Sequence, residues 1–261
     1  MSKYSDLFSL AGKKAMVIGG GGGIGRAIAH GFSTFGAEVC IASRNLENLQ
    51  EVAAEIEAET GNKVHCYTVD VAEEQSIIDL AAKVQAEVGT IDILVNSQGY
   101  NKKYSTLNCP IEEWDRTYTI NVRGLMICCR EFGKGMIEQK YGRVINIGSI
   151  GARRHSVSGV SGAYSSSKGA VASFTTQLAA EWAKYNITVN GVCPILTLTK
   201  MMEPIKAKNP DHFATIESRV PMGRIGLPED TVGMSVFFAS EASSFVTGQF
   251  LYPDGGLMLL Q

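Results

Sequence analysis

The strongest constraint in the chain is an apolar run, Ala15-Met16-Val17-Ile18, that stops abruptly at five consecutive glycines, Gly19 to Gly23. A short apolar run bounded by a turn signal predicts a strand buried on both faces. Beyond the glycines, Ile24, Ala27, Ile28, Gly31 and Phe32 recur at three- and four-residue steps, the period of an amphipathic helix. The opening is therefore strand, glycine turn, helix, and the same alternation runs through the chain. Further strands are predicted over 38–42, 63–69, 91–95, 143–147, 187–192 and 250–252. Helices are predicted over 46–59, closed by Gly61, and over 73–88, ended by Gly89. Others cover 114–139, with a bend near Gly124, and 163–184. Pro228 suits the first position of a helix running to about residue 240. The stretch 199–221 holds Pro204, Pro210 and Pro221, reads as irregular, and is a candidate lid.

Alternating strands and helices imply parallel pairing with right-handed crossovers. The predicted architecture is α/β: one domain over 1–261, a doubly wound parallel sheet with helices on both faces. With 24 Lys and Arg against 26 Asp and Glu, the net charge of −2 provides no basic face for nucleic acid or an anionic membrane. No apolar run is long enough to span a bilayer, and residues 1–14 contain no apolar stretch of signal-peptide length. The six cysteines are scattered without a CxxC pair or metal-ligand spacing, so reduced thiols, no bound metal and a cytoplasmic location are expected.

Glycines between a strand and a helix let the backbone approach a pyrophosphate, and the helix N-terminus adds free N–H groups and a positive dipole end. Five in succession leave the register open: Gly20, Gly22 and Gly25 fit GxGxxG, whereas Gly19, Gly23 and Gly25 fit GxxxGxG. The end of the second strand bears on which dinucleotide is bound. A carboxylate there would bond the adenosine ribose hydroxyls of NAD. The strand ends instead in Ser43-Arg44, a donor and a guanidinium fork suited to a 2′-phosphate. NADP(H) is the preferred cofactor on this reading, with NAD(H) as the alternative.

The densest chemistry lies between Ser149 and Lys168. Tyr164 alone of the nine tyrosines has a lysine four residues later, which puts Tyr164 and Lys168 on one helix face. A cation near a phenol favours the phenolate and would ready Tyr164 for proton exchange with an alcohol or carbonyl. Ser149 emerges at the carboxyl end of the strand before that helix, where open α/β sheets bind ligands.

Taken together, these motifs resemble the short-chain dehydrogenase/reductase family, with matches from Leu10 to Gly256. Gly19-x3-Gly23-Ile24-Gly25 is similar to the family's TGxxxGIG, and by resemblance selects the longer register. Asp70-Val71 falls where the family contacts adenine, and Asn96-Ser97-Gln98-Gly99 resembles its NNAG stretch. Asn121, Ser149, Tyr164 and Lys168 match its catalytic tetrad. Pro194 to Thr199 resembles the PGxxxT turn that holds the nicotinamide carboxamide, implicating Thr197 and Thr199, and Asp254-Gly255-Gly256 matches a C-terminal DGG. The resemblance implies Tyr164 as general acid/base and Ser149 as the hydrogen-bond partner of the substrate oxygen. It implies Lys168 as the holder of the nicotinamide ribose that also lowers the Tyr164 pKa, and Asn121 as the anchor of a relay water. It also implies a homo-oligomer, a tetramer or dimer, built through the 114–139 and 163–184 helices. Three positions depart from the pattern: Ile18 for Thr, Gln98 for a small Ala, and Ile195 for Gly.

Asn101-Lys102-Lys103-Tyr104 and Arg153-Arg154-His155 follow strand ends on the same side and form a prospective basic rim. Such a rim, with Ser149, Arg153, Arg154 and Tyr164 facing the substrate, suits a secondary alcohol or ketone on a sugar, polyol or sugar acid. The overall look is similar to gluconate- and polyol-type members. The alternatives are a reductase of apolar ketones or 3-oxoacyl thioesters and, in a different class, a dinucleotide-binding sensor without turnover.

Overall fold

A computed structural model of the chain describes residues 4, 6–154 and 161–259. Seven parallel strands form one sheet: β1 (Lys14–Ile18), β2 (Glu38–Ser43), β3 (Val64–Thr68), β4 (Ile93–Asn96), β5 (Gly142–Ile147), β6 (Ile187–Val192) and β7 (Phe250–Leu251). Their order is β3-β2-β1-β4-β5-β6-β7, the doubly wound arrangement expected from the alternation. The chain reverses its direction of travel across the sheet between β1 and β4, which opens a crevice beyond their carboxyl ends.

Strand pleating explains the unbroken apolar runs. Met16 and Ile18 of β1 enter one buried layer with Leu94, while Ala15 and Val17 enter the opposite layer with Ile93 and Val95. The first layer packs on α3 (Glu74–Glu87), α5 (Gly124–Gln139) and α6 (Gly162–Trp182); the second packs on α1 (Gly23–Thr34), α2 (Leu46–Thr60) and α9 (Val232–Ala239). Every residue of the central strands thus meets a helix layer, which explains their mostly apolar composition, with Asn96, Arg143 and Asn146 as buried polar exceptions.

Three segments differ from the sequence expectation. The helix expected over 114–139 begins earlier and is interrupted: α4 (Ile111–Tyr118) passes through one π turn (Thr119–Arg123) before continuing as α5. The interruption, a widened turn, ends just before Gly124. The 199–221 stretch contains two short helices, α7 (Glu203–Lys208) and α8 (Pro210–Glu217). Pro204 and Pro210 stand in their first turns, where a missing N–H costs nothing, so these prolines start helices instead of breaking one. The C-terminal helix is likewise divided, with a 3-10 turn at Pro228–Thr231 leading into α9.

Candidate active site

The carboxyl ends of β1, β2, β4 and β5 deliver the site. At β1, only Gly19 and Gly23 of the five glycines have positive φ, +82° and +50°. Those are the first two of the three glycines of the GxxxGxG register. A Cβ at Gly19 would meet the Ser97 carbonyl at 2.9 Å, and one at Gly25 would collide with the Gly19 oxygen. The loop therefore closes tightly on β4 and on the first turn of α1. That helix starts at Gly22 with no side-chain cap and no acidic residue in its first turn. Its N–H groups and dipole end remain available to an anion, and a Cβ at Gly22 would meet nothing within 4 Å. A phosphate-bearing ligand fits this cradle. Ile24 packs partly buried against the second core layer.

Beside the cradle, a Cβ on Gly21 would lie 2.8 Å from both Ser43 Oγ and Asn48 Nδ2, so the β2 end and α2 flank the loop directly. Asn48 donates to the Gly21 carbonyl, and Asn45 caps the helix by accepting from Asn48 N at 3.1 Å. Arg44, between them in sequence, is exposed. Asn48 gave no signal in the sequence because only the β2–α2 crossover brings it to the loop. On the other side of β2, Asp70 Oδ1 accepts from Ala72 N at 2.9 Å and braces the turn after β3. Val71 of that turn lies against the helix interruption: a Cβ on Gly124 would meet the Val71 oxygen at 2.5 Å.

Asn121 lies in the π turn and is buried. Its Oδ1 accepts from Tyr100 N at 2.7 Å, while Nδ2 donates to Tyr100 O at 3.0 Å and to Ser167 Oγ at 2.9 Å. Ser167 in turn donates to the Tyr164 carbonyl at 2.7 Å. The loop after β4, the π turn and α6 are thereby locked together. Ser167 is a site residue that helix spacing from Tyr164 could have suggested. The side chain of Asn96, expected at the cofactor, is fully buried and turns into the α5 layer, so only its backbone is left to meet a ligand. Its Nδ2 donates to Asn146 Oδ1 at 2.9 Å and to Cys129 Sγ at 3.3 Å.

Ser149 stands two residues beyond the end of β5 and accepts from Gly151 N at 3.0 Å. A Cβ on Gly151 would fall 3.2 Å from Ser149 Oγ and 3.9 Å from Tyr164 Cε1, so the hydroxyl and the phenol ring share one small volume. Burial raises the Tyr164 phenol above its ordinary value, and hydrogen bonding from Ser149 pulls it partly back. Lys168 is 3% exposed and donates to the Ile147 carbonyl at 2.7 Å, with Nζ 5.8 Å from the Tyr164 ring centre. Burial lowers its ammonium to about 8. The expected depression of the Tyr164 pKa by Lys168 is therefore not met by the protein's own groups, because the ammonium is itself desolvated and turned to β5. Cys193 also belongs here: its Sγ would stand 2.5 Å from a Cβ on Gly148, the residue before Ser149, and burial raises its thiol to about 11. A cysteine inside an apolar run offered no hint of that placement.

The basic rim is only partly available. Lys102 pairs with Glu113 Oε1 at 2.8 Å, and Glu113 Oε2 accepts from the Tyr100 hydroxyl at 2.6 Å. Arg154 donates to the Leu257 carbonyl, tying the segment after Ser149 to the C-terminal turn. Arg153 is exposed and lies 5.6 Å above the Tyr252 ring. His155 lies outside the described residues. Thr197 is buried and its hydroxyl donates to the Ile195 carbonyl at 2.9 Å. Thr199 reaches the glycine loop, its Cγ2 standing 2.9 Å from where a Gly23 Cβ would be. No cluster able to hold a metal ion occurs among the described residues.

Comparison with known proteins agrees with this geometry. A family model described as enoyl-(acyl carrier protein) reductase matches residues 19–258. A 2-dehydro-3-deoxy-D-gluconate 5-dehydrogenase of Formosa agariphila is 36% identical over 256 residues, 97% of this chain and 95% of the relative. Among solved structures, a gluconate 5-dehydrogenase from Burkholderia cenocepacia in complex with NADP and tartrate superposes with a TM-score of 0.92 at 31% identity, covering 98% of this chain and 99% of that one. A short-chain type dehydrogenase/reductase from Mycobacterium marinum gives 0.92 at 33% identity, with 98% and 99% covered. With the glycine cradle and the Ser149, Tyr164 and Lys168 grouping at the carboxyl ends of its strands, this chain belongs to the short-chain dehydrogenase/reductase family of oxidoreductases.

Proposed function

We propose that the protein interconverts a secondary alcohol and a ketone on a sugar, polyol or sugar acid, using NADP(H) in preference to NAD(H). The observation that carries this reading is the Ser149 hydroxyl facing the Tyr164 phenol beyond the end of β5, with Lys168 buried one helical turn further on. Two of the proteins named above, the 2-dehydro-3-deoxy-D-gluconate 5-dehydrogenase and the gluconate 5-dehydrogenase, support the substrate class by their names.

Gly19, Gly23, Ile24 and Gly25 would hold the diphosphate, and Ser43 and Arg44 the 2′-phosphate. Asp70 and Val71 would flank the adenine, and Lys168 would hold the nicotinamide ribose. Thr199 is the better placed of the two threonines, since the Thr197 hydroxyl is already engaged. Bound there, the nicotinamide ring supplies or accepts the hydride. In the reducing direction Tyr164 donates its phenolic proton to the carbonyl oxygen, while Ser149 hydrogen-bonds to that oxygen. In the oxidising direction Tyr164 must take a proton as phenolate, which its burial opposes. Asn121, its side chain fully engaged, would offer the backbone carbonyl of the π turn to a relay water. Arg153, with Arg154 behind it, would meet polar groups of the substrate. Residues 199–221 would act as a lid over a single dinucleotide-binding and catalytic domain. Six unpaired cysteines suit a reducing, cytoplasmic setting. A homotetramer or dimer would form through α4, α5 and α6, and sedimentation velocity tests this.

The functional test is a set of initial rates of NADPH oxidation with keto-sugars, keto-acids, apolar ketones and 3-oxoacyl thioesters. The keto-sugars and keto-acids are expected to lead. A lead for apolar ketones or thioesters would overturn the substrate class, and no turnover with any of them would favour a sensor.

A further inference from the structure

At the crevice between β1 and β4, one side chain has no partner. Gln98 is only 8% exposed, and neither Nε2 nor Oε1 of its amide has a hydrogen-bond partner among the described residues. The amide holds two N–H donors and an acceptor oxygen, and leaving such a group dry and unpaired is costly. Its surroundings explain why the protein does not satisfy it. On one side stands Gly19, which has no side chain and whose Cβ position would be 3.1 Å from Gln98 N. On the other, Tyr100 gives both its N–H and its carbonyl to Asn121, whose amide is spent on Tyr100 and Ser167. Asn96 carries another unpaired oxygen on this strand end, and the two amides do not pair with each other. The Tyr100 backbone and the Asn121 amide are thus already engaged, at the one place in the sheet where the strand order reverses and ligands enter.

The chemistry of the vacant bonds selects the partner. A phosphate accepts hydrogen bonds and cannot donate to Oε1. A ribose hydroxyl both donates and accepts, and so matches an amide that lacks both kinds of partner. We propose that the Gln98 amide pairs with ribose hydroxyls of the bound dinucleotide, making Gln98 a cofactor-binding residue where the family pattern has a small alanine with no such group. This rests on the dinucleotide reading of the site.

The test uses the full-length protein and measures dissociation constants for NADPH, NADH and ADP-ribose by protein fluorescence, without turnover. Gln98→Met keeps the length and removes the amide; Gln98→Ala removes both and is the control should Met not fold. Either folded variant is expected to bind all three ligands about tenfold more weakly, the scale of a lost buried hydrogen bond. The melting temperature of the ligand-free variant is expected to hold or rise, since an unpaired buried amide has gone. Unchanged dissociation constants overturn the proposal. A loss confined to NADPH would place the amide on the 2′-phosphate, and a loss absent with ADP-ribose would place it on the nicotinamide; both overturn it. If the unmodified protein binds none of the three, the dinucleotide reading itself falls and takes this inference with it.

Discussion

Tyr164 and Lys168 show how burial shapes reactivity at single residues. The phenol is raised by desolvation and the ammonium lowered to about 8 by the same cause. Tyr164→Phe is expected to lower turnover by about 10²–10⁴-fold, the usual contribution of a positioned acid/base, with NADPH affinity retained. Steady-state rates beside a fluorescence titration check this. Because the oxidising direction needs phenolate, alcohol oxidation by the unmodified protein should rise as pH increases above 7, while ketone reduction should not. Parallel rate–pH profiles for both directions test it. Lys168 makes a separate thermodynamic prediction. Its pKa falls from 10.5 unfolded to about 8 folded, so between those values the unfolded chain binds more protons and native stability rises with pH. Below about 8 the whole cost of the buried charge is present. Lys168→Met should therefore raise the melting temperature at pH 7, and the gain should shrink between pH 8 and 10.5 in thermal melts.

Among the elements, the interrupted α4–α5 helix is the most informative. The π turn places Asn121 against Tyr100 and Ser167, and Gly124 lets the helix touch the turn after β3. Gly124→Ala would put a methyl 2.5 Å from the Val71 oxygen, backbone that cannot swing aside. The overpacking should cost about 1–3 kcal/mol, read as a lower urea midpoint at an unchanged m-value. The β2–α2 junction, with Arg44 exposed beside the half-buried Ser43, is where we propose that the cofactor preference arises. Arg44→Asp should weaken NADPH binding more than NADH binding; equal losses would remove Arg44 from the 2′-phosphate.

Across the whole molecule, stability and chemistry occupy opposite ends of the sheet. Arg143 enters β5 1% exposed, 4.4 Å from the Tyr141 ring and 3.2 Å from Glu241 Oε1, with a bond of 3.0 Å to the Gly142 carbonyl. Ser149 follows the other end of the same strand, roughly 20 Å away at about 3.3 Å per residue. Arg143→Ala breaks a network joining β5, the turn before β6 and the segment after α9, and should cost on the order of 3 kcal/mol. Cofactor affinity should stay at the unmodified level. Urea denaturation and a binding titration separate the two effects.

Period and punctuation in the chain already determined the alternation, the parallel doubly wound sheet and the glycine turn, because buried strands demand unbroken apolar runs and helices a 3.6-residue stripe. Tyr164 and Lys168 were legible because a helix puts residues four apart on one face. Long-range closure decided the rest. The sequence carries no sign that Asn48 reaches Gly21, that Cys193 lies against Gly148, or that Glu113 pairs with Lys102 of the rim. Nor does it show that Asn96 turns inward, which depends on the pleat and on what α5 presents to it. Hydrogen bonds and desolvation depend on which groups meet, and residues distant in sequence meet only when crossovers stack the helices on the sheet. For that reason the pKa directions of Tyr164 and Lys168, and the unpaired amide of Gln98, belong to the tertiary structure alone.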